Sequence, residues 1–308
     1  MTRLPQNMVD SSSDSVVTFA LYRYTPSIPA AVVMAVAFGF LGVFHAYRLI
    51  REKTYFFIPF IIGLIFEAAG YIARIFSHFD TLALGPYIVQ TMLILVAPPL
   101  FAASIYMTLG RLIREIGAET ASLVHIKWLT KIFVAGDVIS FVLQCGGGGY
   151  MASGSAEAMQ SGEHIVIAGL AIQLLFFGFF IFVAFIFHWR VTKLASTYKI
   201  SKSVRSQSGR FSWDLLMWAL YIACVLILVR SVFRVIEFVQ GNDGFIMSHE
   251  FLLYIFDGAL MALMGALLGI IFPGSFLSGR GGNQCERAVS ESAASDTLPL
   301  EEGRYSWK

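Results

Sequence analysis

Charge is scarce in this chain. Asp, Glu, Lys and Arg together make up 14% of its 308 residues, whereas 57% are hydrophobic. Mean hydropathy is +0.71. A soluble domain of this length needs far more polar surface, so the composition points to a membrane protein. Cysteine is scarcer still. Cys145 and Cys224 lie in apolar runs and Cys285 in a polar segment, which places no pair for a disulfide in an outer loop. No Asn-x-Ser/Thr site occurs, and the opening residues MTRLPQNMVDSSSDS lack an apolar core of signal-peptide length. No cleaved signal is therefore expected, and the first spanning helix is expected to direct insertion. The absence of G-x-x-x-x-G-K-S/T argues against an ATP-driven pump. Every lysine is read into a loop or tail, which leaves none to form a retinal Schiff base. No basic patch interleaved with aromatics suggests nucleic acid. His45, His125 and His188 fall on one side of the bilayer and His78, His164 and His249 at the opposite helix ends, without the local spacing of a metal motif. No enzyme, metal or other cofactor is expected.

What is abundant is long apolar sequence. Seven runs reach the roughly 20 residues that span a bilayer: Ile28 to Tyr47, Phe56 to Ser77, Pro86 to Leu109, Ile132 to Met151, Ile165 to Trp189, Phe211 to Val235 and Phe251 to Phe272. The expected fold is all-α, a polytopic seven-transmembrane helix bundle over residues 28–272, between polar tails at 1–27 and 273–308. Arg and Lys collect in alternate connections: Arg48, Arg51 and Lys53 after the first run, Arg111, Arg114, Lys127 and Lys131 after the third, and six from Arg190 to Arg210 after the fifth. The connections 78–85, 152–164 and 238–250 contain none. By the positive-inside rule the amino terminus is expected outside and the carboxyl terminus in the cytoplasm. The loop from Arg111 to Lys131 mixes charges with Leu112, Ile113, Ile116, Leu123 and Trp128, a pattern that suits an amphipathic surface helix. Gly241, Asn242, Asp243 and Gly244 suit an outer turn between the sixth and seventh runs.

Ionisable residues inside spans are costly and are functional candidates by default. Arg230, Arg234 and Glu237 share one face of the sixth run at i, i+4 and i+7. Glu250, Tyr254 and Asp257 repeat that spacing in the seventh, and Glu67, Tyr71 and Arg74 share a face in the second. Arg230 and Asp257 both come out about 10 Å deep, which makes them a candidate pair; Glu67 with Arg74 is another. Gln90, Gln144 and Gln173 fall in the same middle-to-outer zone. Two readings are open: a polar cavity that accepts the headgroup of an amphipathic ligand, or a buried ion-pair network that fixes helix register. Asp137, in line with Ser140 and Gln144, is a candidate proton relay or a polar cap inside the bundle. Gly146 to Gly149 and the Pro98-Pro99 pair are expected to break the fourth and third helices, against a cavity or as kinks with close packing. Gly265 and Gly269 form a small-xxx-small packing face.

Several of these residues recur in recognisable combinations: Glu67-x-x-Gly70-Tyr71-x-x-Arg74, Ala97-Pro98 followed by Tyr106 and Gly110-Arg111, Asp137-x-x-Ser140-x-x-x-Gln144 leading into the glycine run, and Arg230-Ser231-x-x-Arg234-x-x-Glu237 with Glu250, Tyr254 and Asp257. On these motifs the chain resembles the fungal lipid-translocating exporter family, the RTA-like seven-transmembrane proteins of the sphingoid long-chain base exporter type, over about residues 20–275. The resemblance implies movement of sphingoid bases, sterol-like or other amphipathic compounds across the plasma membrane, with resistance to toxic ones; family links to haem or porphyrin traffic leave the ligand open. Membrane lipids and an amphipathic ligand are the expected partners. A seven-helix lipid-sensing receptor or regulator of lipid asymmetry is the alternative, made weaker by the lack of an outer disulfide and of N-P-x-x-Y in the seventh run.

Overall fold

A computed structural model describes residues 27–79, 84–115, 122–123, 125–151, 156–198, 213–240, 245 and 249–277. The Gly241 to Gly244 turn, most of both tails and residues 116–121 of the expected surface helix lie outside these. Among the described residues there is no strand, and seven helices are long and apolar enough to cross a membrane. They are α1 Ile28–Glu52, α2 Ile58–Phe79, α3 Leu84–Glu115, α4 Ile126–Met151, α5 Ala156–Tyr198, α6 Trp213–Gln240 and a composite α7. A 3-10 turn, Tyr55–Phe57, leads into α2, and a short helix, Pro273–Leu277, follows α7. Most helices outrun the apolar segments that announced them. An apolar run marks hydrocarbon depth, but the backbone keeps its own hydrogen bonds beyond that depth. The 43 residues of α5 reach about 65 Å at 1.5 Å per residue, twice the bilayer core.

This extension corrects three expectations. Leu112 and Ile113 are not on an amphipathic surface segment; they continue α3 and are fully buried in the core. Lys127 and Lys131 begin α4, and Lys193 lies in α5, so these lysines sit at helix ends rather than in loops. The glycine run breaks nothing, since α4 is continuous through Gly146 to Gly149. Gly147 is there for contact: a Cβ on it would stand 2.7 Å from the Gly162 carbonyl oxygen of α5. Two helical turns away, a Cβ on Gly169 would stand 2.9 Å from the Ser140 carbonyl. Without a hydrophobic drive between helices in lipid, such backbone approach supplies the packing.

Consecutive helices pack side by side, α7 returns onto α1 and α6, and α3 also touches α6 across the middle. α3 is the most buried span, at 61% of its apolar window, against 22% for α1. It too is continuous, with Pro98 and Pro99 inside it. A helical proline deprives the carbonyl four residues earlier of its donor; here these are Ile94 and Leu95. Hydroxyls at depth are satisfied the same economical way, by bonding back one turn: Thr108 to Ser104 O at 2.7 Å, Ser140 to Gly136 O at 2.8 Å and Ser231 to Ile227 O at 2.8 Å. α1 and α7 meet where Gly265 and Gly269 leave their carbonyls open to His45 Nε2 and Arg48 Nη1, both at 2.9 Å.

α7 departs from a regular helix. It consists of α-helical Glu250–Leu253, a π-helical turn Tyr254–Ala259 and α-helical Leu260–Ile270. Tyr254, Asp257, Gly258 and Met261, at i, i+3, i+4 and i+7, all face inward. π turns of this kind are frequent at functional sites.

Candidate functional site

Asp257 is the anchor of the cluster. At zero exposure its carboxylate takes both arginines of α6. Arg230 Nε stands 2.5 Å from Oδ1, an ion pair by distance without hydrogen-bond geometry. Arg234 is bidentate, from Nη2 to Oδ2 and from Nε to Oδ1 at 3.3 Å. Arg234 Nη1 also holds Glu237 Oε2 at 2.9 Å. The candidate pairing of Arg230 with Asp257 is thus present, with Arg234 as an equal partner. The Nη2 of Arg230 donates to the Ile94 carbonyl at 2.6 Å, which is the oxygen that Pro98 frees.

Glu67 and Arg74 do not pair. They are seven residues apart on one helix, about 10.5 Å along the axis, and each looks across to other helices. Arg74 donates from Nη2 to Glu250 Oε1 and from Nε to the Tyr254 hydroxyl, both at 3.0 Å, and its guanidinium lies over the Tyr254 ring. The Ser27 amide, at the head of α1, closes on the same Glu250 oxygen at 2.8 Å. Tyr71 is sandwiched between Phe38 and Tyr254, with ring centroids 5.7 and 5.9 Å away. Its hydroxyl approaches Gly258 so closely that a Cβ there would collide with it.

Glu67 remains. It is fully buried, and neither carboxylate oxygen has a hydrogen-bond partner. Arg230, Asp257 and Arg234 are its charged neighbours. Among the site residues the carboxyls are Glu67, Glu237, Glu250 and Asp257, and the guanidiniums are Arg74, Arg230 and Arg234. Four against three leaves one carboxyl over, and the contacts identify it as Glu67. The set is buried, with Glu67, Arg74, Arg230 and Asp257 each at most 2% exposed.

The glutamines divide. Gln144 Nε2 donates to Gln173 Oε1 at 2.8 Å, tying α4 to α5 away from the arginines. Gln90 is buried on α3. Asp137 forms a second, isolated spot. It is 3% exposed, both of its oxygens lack a partner, and the Tyr106 hydroxyl faces it without closing a hydrogen bond. Phe133, Phe177 and Phe180 pack around Tyr106. His164 and His249 bond within their own stretch of chain, to Gln160 O and Phe245 O, whereas His45 and His188 reach other helices, at Gly265 O and the Tyr221 hydroxyl; no group of three metal-ligating side chains occurs among the described residues.

The RTA1 like protein family profile matches residues 60–280. The chain belongs to that family. Similar proteins include Protein RTA1 of Saccharomyces cerevisiae, 39% identical over 83% of this chain and 85% of that protein. Protoporphyrin uptake protein 1 of the same yeast is 35% identical over 85% of this chain and 96% of its own length. The sphingoid long-chain base transporter RSB1 is 28% identical over 90% of this chain and 78% of its own length. No solved structure matches.

Within this RTA1-like chain, sequence reasoning missed the Ile94 carbonyl and the Ser27 amide, and it had Tyr106 as a motif residue without its place facing Asp137. Only the first had a readable signal, because a proline inside a spanning run always leaves an oxygen four residues back in need of a donor.

Proposed function

We propose that this chain is a multi-pass membrane transporter for amphipathic lipids with a cationic amine headgroup, of the sphingoid long-chain base type, and that Glu67 receives the amine. One observation carries the reading: the single unpaired carboxyl of a buried charged set lies beside two arginines already neutralised by Asp257 and Glu237. An uncompensated carboxylate at that depth is costly, so the site favours a proton or a cation at Glu67, and exchange of one for the other is a binding step. The ring of Tyr71, one turn from Glu67 and stacked between Phe38 and Tyr254, suits an ammonium and the start of an alkyl chain. The name of the RSB1 relative supports the substrate class. Export across the plasma membrane, with the amino terminus outside, and resistance to toxic amphipaths complete the proposal.

Reconstituted liposomes provide the test. A labelled long-chain base is expected to cross faster with the protein than in empty vesicles. Glu67→Gln is expected to lower that rate on the order of 10- to 100-fold, the worth of one charge-assisted contact. Crossing no faster than in empty vesicles, with binding retained, would favour a lipid sensor instead.

A further inference from the structure

At the end of the bundle opposite the arginine network, a cavity of about 740 Å³ opens on α1 beside Phe44, Tyr47, Arg48, Arg51 and Lys53. Its cations are not equivalent. Arg48 is fixed, with Nη2 on Glu52 Oε1 at 2.8 Å, Nη1 on the Gly269 carbonyl and its guanidinium 4.7 Å over Phe272. Arg48 and Glu52 cancel each other and make a wall, and the second Glu52 oxygen turns inward against Gly274. Arg51 and Lys53 are exposed and make no hydrogen bond or ion pair through their side chains among the described residues. They leave the cavity with two uncommitted positive charges.

Two further observations point to an occupant. Lys53 caps α1 in the left-handed region, at φ 53, and is the one non-glycine with positive φ among the described residues. Glycine holds that position at lower backbone cost, so helix termination does not account for a lysine there. Below the cavity, Val36, Phe40, Val43 and Tyr47 are 61 to 73% exposed and follow one another at i, i+4, i+7 and i+11. They form an apolar track that leads from the bilayer interior to the two cations.

We propose that this cavity binds the phosphate-bearing headgroup of an anionic phospholipid, with Arg51 and Lys53 on the phosphate and an acyl chain along the Val36 to Tyr47 track. Residues at the end of a span stand at headgroup level, where basic pockets between helices take anionic lipids. The apolar track selects a lipid over free phosphate, which has nothing to lay along it.

The full-length chain in phosphatidylcholine nanodiscs, titrated with phosphatidylinositol 4-phosphate and read by native mass spectrometry, tests this. The unmodified chain is expected to retain the anionic lipid. Arg51→Gln with Lys53→Gln is expected to weaken retention roughly thirtyfold, and the charge-preserving pair Arg51→Lys with Lys53→Arg to keep it. Lys53→Gly separates binding from folding: the thermal midpoint should rise while lipid retention falls. Retention unaffected by the glutamine pair or by Lys53→Gly would overturn the proposal. So would full displacement of the lipid by inorganic phosphate at equal concentration, since the site would then read phosphate alone.

Discussion

Arg230 on α6 donates to the carbonyl of Ile94 on α3, an oxygen that has no helical partner because Pro98 has no N–H. Two features that look unfavourable in isolation, a proline inside a spanning helix and an arginine at depth, satisfy each other. They should therefore be energetically coupled. In a double-mutant cycle of Pro98→Ala and Arg230→Met, followed by thermal unfolding in detergent, the coupling is expected at about 1 kcal/mol or more. Additive effects would show that the carbonyl is satisfied some other way.

Asp257 and Glu67 should respond oppositely to neutralisation. Asp257→Asn strands Arg230 and Arg234 in the interior, and breaking a buried pair by removing one partner costs about 3–5 kcal/mol. Folded yield should collapse. Glu67→Gln removes a carboxyl that pairs with nothing, so folding should be preserved while transport is lost. Size-exclusion profiles and liposome flux on the two variants separate these outcomes; equal loss of folding would make Glu67 a structural residue.

The glycines at the α4–α5 crossing differ sharply, even where they are neighbours in the chain. A side chain at Gly147 or Gly169 meets backbone of the facing helix, so Gly147→Val or Gly169→Val should destabilise by about 1–3 kcal/mol or more. Gly146→Ala and Gly149→Ala enter open space and should stay within about 0.5 kcal/mol. Thermal midpoints of the four proteins check the contrast.

Gln144 and Gln173 are also expected to be non-additive. Either single change to Leu leaves one buried amide without its partner and should cost about 1–2 kcal/mol. The double change removes both polar groups and should recover most of that loss. A double variant as weak as the sum of the singles would mean that each glutamine has another role.

The seven spans, and the residues that carry charge within them, were legible in the sequence because hydropathy and the cost of buried charge act locally. Partner choice was not. That Arg74 takes Glu250 rather than Glu67, or that Asp257 serves both Arg230 and Arg234, depends on how α2, α6 and α7 are rotated about their axes. The continuity of α3 and α4 was also hidden. Proline and glycine weaken an isolated helix, but here Arg230, 136 residues from Ile94, and the close crossing of the next helix, α5, compensate, and neither contact shows in the local pattern of α3 or α4. Leu112 and Ile113 were misplaced for a similar reason: charge at Arg111 and Arg114 ended the apolar run before the helix ended.

The π turn of α7 stores one residue of slack. Returning that residue to α-helical register rotates one half of α7 against the other by about 100°, enough to carry Asp257 off both arginines while Glu250 keeps its hold on Arg74. Releasing the lock on α6 then requires that carbonyls between Tyr254 and Ala259 exchange donors, with one half of α7 shifting about 1.5 Å along its axis. Amide hydrogen exchange confined to that turn is the signature such a ratchet would leave.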